Sequence, residues 1–241
     1  MRRLIDAHEH LDGALIDRTA LAGNLVDLRR INRVLGGAEL SVRALRGLIG
    51  AASAAGRPIP DTLRVLDVGT GAADIPLAIV RARGPWPAVH VTATDSRSEV
   101  IDAALAISPG LARRSDLSLA VVDGLALPYP DGAFDVAHAS LVLHHLERDD
   151  AVRLLRELGR VASVGVVVND LARGWLAWVG AWLLLHAMTR NRFTLHDGPL
   201  SVRRAYTRRE ATQLLAEAGL RPTNEVIGVL GHRWAIAAVP G

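Results

Sequence analysis

Three carboxylates stand at the ends of short apolar runs: Asp67 in Leu63-Arg64-Val65-Leu66-Asp67-Val68, Asp95 after Ala88–Thr94, and Asp123 after Leu117–Val122. A short β-branched run followed by Gly reads as a strand buried on both faces. Behind the first acid, Gly69-Thr70-Gly71 makes a tight turn, since Gly tolerates positive φ and lets a ligand approach the backbone. From Ala73 the chain reads as helix, with Pro76 in its first turn. Carboxylates placed this way accept from ligand hydroxyl or amino groups. Asp95 suits both hydroxyls of a ribose. Asp95 or Ser96 can equally cap the helix over Val100–Ile107. A fourth run, Phe134–Ala139, leads through Ser140 to His144-His145, where either imidazole can move a proton, orient a substrate, or simply pack.

The ligand of the glycine turn is open between two kinds. A dinucleotide fingerprint needs a third Gly, and Asp74 stands in its place. Asp67 and Asp74 together would repel a pyrophosphate and favour a cation. The turn resembles motif I of the class I S-adenosylmethionine-dependent methyltransferases, roughly acid-x-Gly-x-Gly. The stretch Ala126-Leu127-Pro128-Tyr129-Pro130-Asp131-Gly132-Ala133-Phe134-Asp135 is similar to A-x-x-L-P-F-P-D-x-x-F-D in methyltransferases of the ubiquinone and menaquinone type. The resemblance implies S-adenosylmethionine as cofactor, at Asp67, Gly69, Thr70, Gly71, Asp95, Ser96 and Ser140. It also implies that Asp123 takes the adenine amino group and that Gly124 and Leu125 line the ring. Arg29 or Asn32, on an N-terminal cover, is implied to reach the cofactor carboxylate. The N-P-P-Y-type signature for methylating nucleic-acid amino groups is absent, and Asp135 reads as structural.

These residues need a scaffold, and strands alternating with helices predict an α/β fold. The resemblance implies the Rossmann-like class I methyltransferase fold: a seven-stranded, mostly parallel sheet with helices on both faces, an N-terminal helical lid and a helix inserted after the fifth strand. Residues 1–60 are expected to be the lid and linker, helical from His8 to Leu48, with helices around Leu21–Leu35 and Leu40–Ile49 and a linker over Ala51–Asp61. Residues 61–241 are the expected catalytic domain, in which 171–206 form an inserted, substrate-covering segment. Strands are further expected at Val164–Val168, Thr223–Ile227 and Arg233–Val239, and a helix at Asp149–Val161. Thr207 and Glu210 form a capping box for a last helix that stops at Gly219. The usual Lys-Pro-Gly-Gly before the fifth strand is replaced by Ala162-Ser163-Val164-Gly165.

Composition narrows the class. The 241 residues suit one α/β domain with an extension, and 50 % hydrophobic residues suffice for its core. There is no cysteine, so disulfides, thiolate zinc sites and cysteine nucleophiles are excluded. That fits a cytoplasmic location, as does a start whose charges interrupt any signal-peptide run. All 28 basic residues are Arg, spread among 25 acids for a net charge of +3. Nucleic-acid binding would want a basic stripe with interleaved aromatics, and aromatics are 4 %. The expected partner is a small-molecule acceptor, for a monomer or homodimer.

The most apolar segment, Gly174–Met188, carries Trp175, Trp178 and Trp182. It is short of the ~20 residues that span a bilayer. It reads as a buried core helix or as a roof over the substrate, with contact to a membrane as the less favoured role. As a roof it places Trp178 and Trp182 against a flat apolar acceptor. Thr189–Tyr206 reads as a loop whose Arg204 and Tyr206 hold an acceptor oxygen and whose His196 joins His144 and His145 as a candidate base. No metal is expected, since Ser140 occupies the position where an acid partner for Asn169-Asp170 is wanted. The reaction is methyl transfer by in-line attack, most readily on oxygen of a lipophilic phenol, quinol or polyketide. The alternatives are C-methylation of a quinone-type substrate and a non-catalytic cofactor-binding protein of the same fold.

Overall fold

A computed structural model describes residues 1–5, 7, 9, 17–82, 84 and 86–241. The chain runs α1 (Arg18–Val34), α2 (Gly37–Ala54), β1 (Thr62–Val68), α3 (Asp74–Arg81), β2 (Ala88–Asp95), α4 (Ser98–Ile107), β3 (Leu117–Val121), β4 (Phe134–Ser140), α5 (Arg148–Val161), β5 (Ala162–Leu171), α6 (Trp175–Met188), α7 (Arg192–Arg204), α8 (Arg208–Glu217), β6 (Leu220–Ile227) and β7 (Arg233–Pro240). The strands form one sheet in the order β3-β2-β1-β4-β5-β7-β6. β1 to β5 are mutually parallel; β7 is antiparallel to both β5 and β6. The order reverses between β1 and β4, and ligands of open α/β sheets bind beyond the strand ends at such a switch point.

Every residue of β4 is buried. That is the pattern of a central parallel strand covered on both sides. On one face Leu154, Leu155 and Leu158 of α5 and Leu214 of α8 pack on Leu66, Ala137 and Val166. On the other, Leu40, Leu45 and Leu48 of α2 and Ile75 and Ile79 of α3 pack on Val65, Val136 and Val167. So α2 is a layer of the sheet rather than part of a separate lid and linker, and it runs on to Ala54. The lid is α1, whose Leu21 and Leu25 pack on Ala72, Val100 and Ala103. The expected helical reading of residues 8 and 10–16 lies outside the described residues.

The inserted segment is a helical pair. α6 starts at Trp175, because β5 extends through Asn169-Asp170 to Leu171. The stretch read as a loop is α7: Asn191 caps it by accepting from the N–H groups of Phe193 and Thr194, and Phe193 and Val202 are buried. Gly198-Pro199 resembles a helix breaker, but a Cβ at Gly198 would run into Leu185 of α6. Gly there serves close helix approach. Polar ties bind this pair to the lid: Asn24 Nδ2 donates to Thr194 Oγ1 (3.2 Å), Asn191 Nδ2 to the Ala20 carbonyl (2.9 Å), and Arg192 pairs with Asp17 (2.8 Å). Thr207 and Glu210 form the expected capping box.

Candidate active site

Two cavities open at the carboxyl ends of the strands. The first, about 370 Å3, is lined by the glycine turn, Asp67, Asp74, Asp95, Ser96, Val100, Ser140 and Leu141, and is covered by Leu21, Leu25, Leu28 and Asn32 of α1. The second, about 700 Å3, lies beneath α6 and α7. Leu28, Asn32, Leu141 and His145 line both, so the cavities share a wall.

The turn is shaped for a ligand. Gly69 and Gly71 have φ of +72° and +53°, and a Cβ on Gly69 would strike Val142. Asp95 accepts from the Gly71 N–H at 3.2 Å and the Arg97 N–H at 3.3 Å. It caps no helix, since Arg97 takes the N-cap position of α4. Burial pushes the carboxyls of Asp95 and Asp74 above the ordinary Asp range.

Beneath the turn lies a continuous buried polar chain. Asp67 Oδ1 meets His138 Nδ1 at 2.5 Å, and His138 Nε2 meets Ser41 Oγ at 2.9 Å. Asn169 Nδ2 reaches Ser41 Oγ (2.7 Å), and its Oδ1 accepts from Arg233 Nε (2.7 Å). Arg233 also donates to Asn32 Oδ1 (2.7 Å) and Ser140 Oγ (2.9 Å), and Asn32 Nδ2 donates to Asp74 (3.0 Å). Burial lowers the Arg233 pKa to about 10, against the opposing pull of Asp170 and Asp74. The chain fixes one oxygen of Asp67 and leaves Oδ2 buried without a partner, as is Thr70 Oγ1. An unpaired carboxylate oxygen beside two further acids fits a cofactor bearing an ammonium, a sulfonium and hydroxyl donors, and it does not fit a pyrophosphate.

The far wall is built by a 3-10 turn, Leu143–His145. Asp170 Oδ1 takes His144 Nδ1 at 2.6 Å, and its Oδ2 accepts from the His144 backbone N–H at 3.0 Å. The His144 and His145 rings lie 4.3 Å apart at 33°. Glu9 faces both, with Oε1 3.9 Å from His144 Nε2 and Oε2 3.8 Å from His145 Nε2. His144, His145 and Glu9 all line the larger cavity.

Several expected residues fall elsewhere. Arg29 turns away and donates to Ser108 Oγ at 3.0 Å, while its alternative Asn32 lines both cavities. Asp123, Gly124 and Leu125 lie outside the lining of the smaller cavity, and Asp123 accepts from the Leu125 N–H at 2.9 Å. Trp178 and Trp182 do not line the larger cavity; Leu176, Ala177, Gly180, Ala181, Leu184 and Leu185 do. α6 is apolar all round; Trp175 and Trp182 are exposed, while leucines and small residues face the space. Arg204 and Tyr206 are buried supports: Arg204 donates to the His145 carbonyl (2.6 Å) and the Tyr206 hydroxyl to the Leu146 carbonyl (3.0 Å). His196 pairs with Asp197 at 2.7 Å, and of the two only Asp197 lines the cavity. Glu9, Leu141, Asp170 and Arg233 belong to the site without having been expected. Leu141 carried one hint, lying just past a strand end, where it adopts φ +58°.

The sheet order, the acid-tipped strands and the glycine turn together define the fold of the class I S-adenosylmethionine-dependent methyltransferases. Residues 65–165 match a family model described as "Methyltransferase domain". Over 68 residues it is 40 % identical to ajmaline N-methyltransferase of Rauvolfia serpentina, covering 28 % of this chain and 22 % of that protein. Over 140 residues it is 25 % identical to the tRNA (carboxymethyluridine(34)-5-O)-methyltransferase of Schizosaccharomyces pombe, covering 58 % of this chain and 54 % of that protein. The chain thus spans about a fifth to a half of these curated relatives. The O-methyltransferase family 2 protein of Planctomyces limnophilus, solved in complex with apigenin, superposes with a TM-score of 0.65 at 18 % identity, over 95 % of this chain and 63 % of that one.

Proposed function

We propose that this chain transfers the methyl group of S-adenosylmethionine to an oxygen of a small, largely apolar aromatic acceptor. The carrying observation is the shared wall. A cavity with unpaired acceptors for a cationic cofactor adjoins a larger one, lined by Leu28, Ile31, Leu35, Leu176, Leu184 and Leu185, across Leu28, Asn32, Leu141 and His145. An acceptor lying against that wall is held for in-line attack, and such alignment supplies ~7–11 kcal/mol of a barrier. The oxygen–carbon bond forms as the carbon–sulfur bond breaks, and sulfur keeps the electron pair.

In this reading Asp95 takes the ribose hydroxyls, Asp67 Oδ2 a cofactor donor, and Asp123, two residues beyond the register partner of Asp95 on β3, the adenine amino group. The acceptor's hydroxyl proton leaves at the His144–His145 wall, where Asp170 fixes the proton of His144 on Nδ1 and turns Nε2 outward. His196 has no place in this wall. The apolar cavity favours a small molecule over nucleic acid, and a cytoplasmic monomer or homodimer is the working form. No helix among the described residues is long and apolar enough to cross a membrane.

The test is calorimetry with S-adenosylmethionine and with NAD, followed by incubation with a panel of phenols, quinols and polyketides read by mass spectrometry. Binding of the methyl donor alone and a methyl group on oxygen support the reading. Binding of NAD, or methyl transfer to carbon only, overturns it.

A further inference from the structure

Glu9, His144 and His145 bring one carboxylate and two imidazoles together on the wall of the larger cavity. One ligand atom from each lies within 4.8 Å of the others. Glu9 and His144 are 3 % exposed. We propose that these three residues bind a single divalent transition-metal ion, zinc or ferrous iron by ligand type, and that this ion ionises the acceptor hydroxyl. The inference rests on the proposed acceptor cavity and specifies how the proton leaves.

The geometry supports it at three levels. Tetrahedral zinc with bonds of about 2.0–2.1 Å sets its ligand atoms about 3.4 Å apart. The two carboxylate–imidazole distances of 3.9 and 3.8 Å need only a small contraction to reach that. Two imidazoles and one carboxylate leave at least one coordination position for substrate, as in open catalytic sites. The outer shell is also built. Metal-bound His usually gives its other ring N–H to a carboxylate, and Asp170 takes Nδ1 of His144 at 2.6 Å. Arg204 Nη1, 3.4 Å from Glu9 Oε1, helps to hold the carboxylate where it faces both imidazoles.

Chemically, the bound ion acts as a Lewis acid and lowers the pKa of a hydroxyl that reaches it. The O–H bond breaks and its proton passes to water. The oxygen then attacks the methyl carbon, and the carbon–sulfur electrons stay on sulfur. Nothing is oxidised or reduced.

The experiment uses untagged full-length protein treated with chelator and titrated with Co2+, followed by visible absorption and by competition with Zn2+. One ion per chain is expected. Glu9→Gln and His144→Ala should each weaken Co2+ binding by about 100-fold, and Asp170→Asn by about 10- to 100-fold. S-Adenosylhomocysteine binding to Glu9→Gln reports on the fold, since Glu9 lies outside the smaller cavity. X-ray absorption on the cobalt-loaded wild type must count two imidazoles, which keeps the test valid if a variant misfolds. Equal Co2+ affinity in wild type, Glu9→Gln and His144→Ala overturns the proposal, as does a count below two. Methyl transfer undiminished in chelated protein overturns the ion's role while leaving the proposed function standing.

Discussion

Asp170 holds His144 at two points, taking the ring Nδ1 at 2.6 Å and the backbone N–H at 3.0 Å. The double contact sets both the position of the 3-10 turn and the direction of the ring. Burial pushes the Asp170 carboxyl up. His144 beside it, with the backbone N–H groups of Leu171 and His144, pulls it down, and the net result is below the ordinary range. A depressed carboxyl contributes stability above its unfolded pKa of about 3.9, and that contribution is lost as pH falls through the lower folded value. Asp170→Asn should lose this stability at neutral pH and flatten the acid limb of the unfolding curve. It should also lower kcat with little change in cofactor affinity, as measured by calorimetry beside steady-state turnover.

The second prediction concerns Asp95. Asp95→Ala removes a charged acceptor whose hydrogen bonds contribute ~1.5–3 kcal/mol each, so cofactor affinity should fall by more than about tenfold. Its carboxyl sits above the ordinary Asp range because it is buried. The ionised form is the one that accepts from two hydroxyls. As pH is lowered, wild-type cofactor affinity should begin to fall above the pH at which an exposed Asp protonates, about 3.9. The Asp95→Asn variant should lack that acid limb. An affinity independent of Asp95 removes it from the site.

Acceptor size should be set by the inner side of α6. Gly180 lines the larger cavity, and a Cβ placed there meets nothing within 4 Å. Gly180→Leu should therefore fold, fill part of the space, and raise KM for bulky acceptors while cofactor binding stays constant. Trp182→Ala, on the outer side, should leave KM unchanged. The reverse outcome in steady-state kinetics would return the acceptor to the Trp side of the helix.

Arg233 should be a stability residue. It is 2 % exposed and supplies donors to Asn169, Asn32 and Ser140. Breaking a buried charged network on one side costs about 3–5 kcal/mol. Arg233→Met should thus lower Tm by roughly 6–20 °C, at ~2–4 °C per kcal/mol for a chain of this size. A shift under a few degrees in differential scanning calorimetry would show that the network holds without it.

The sheet was legible because β1, β2 and β4 are short, largely apolar stretches rich in Val, Leu and Ala and ended by Gly, Asp or Ser. The strand-end acids Asp67 and Asp95 were legible for the same reason, since the strand end fixes where each carboxylate stands. The acceptor side was less so. α6 is apolar on every side, so its spacing carries no phase to separate Gly180 from Trp182. Gly198-Pro199 hides a helix because its Gly serves packing against Leu185 rather than chain reversal. Arg233 is one of 28 arginines, and only the fold brings it under Ser140. Glu9 precedes the first described helix and meets His144 across 135 residues of sequence, a separation no local pattern encodes.

The ties between the inserted helices and the lid have a thermodynamic consequence. Asn24–Thr194, Asn191–Ala20 and Arg192–Asp17 join α7 to α1, and α1 covers the smaller cavity with Leu21, Leu25, Leu28 and Asn32. Ordering either cover therefore orders the other. Under the proposed function the two ligands would be energetically coupled: by whatever factor the methyl donor tightens its co-substrate, the co-substrate must tighten the methyl donor equally.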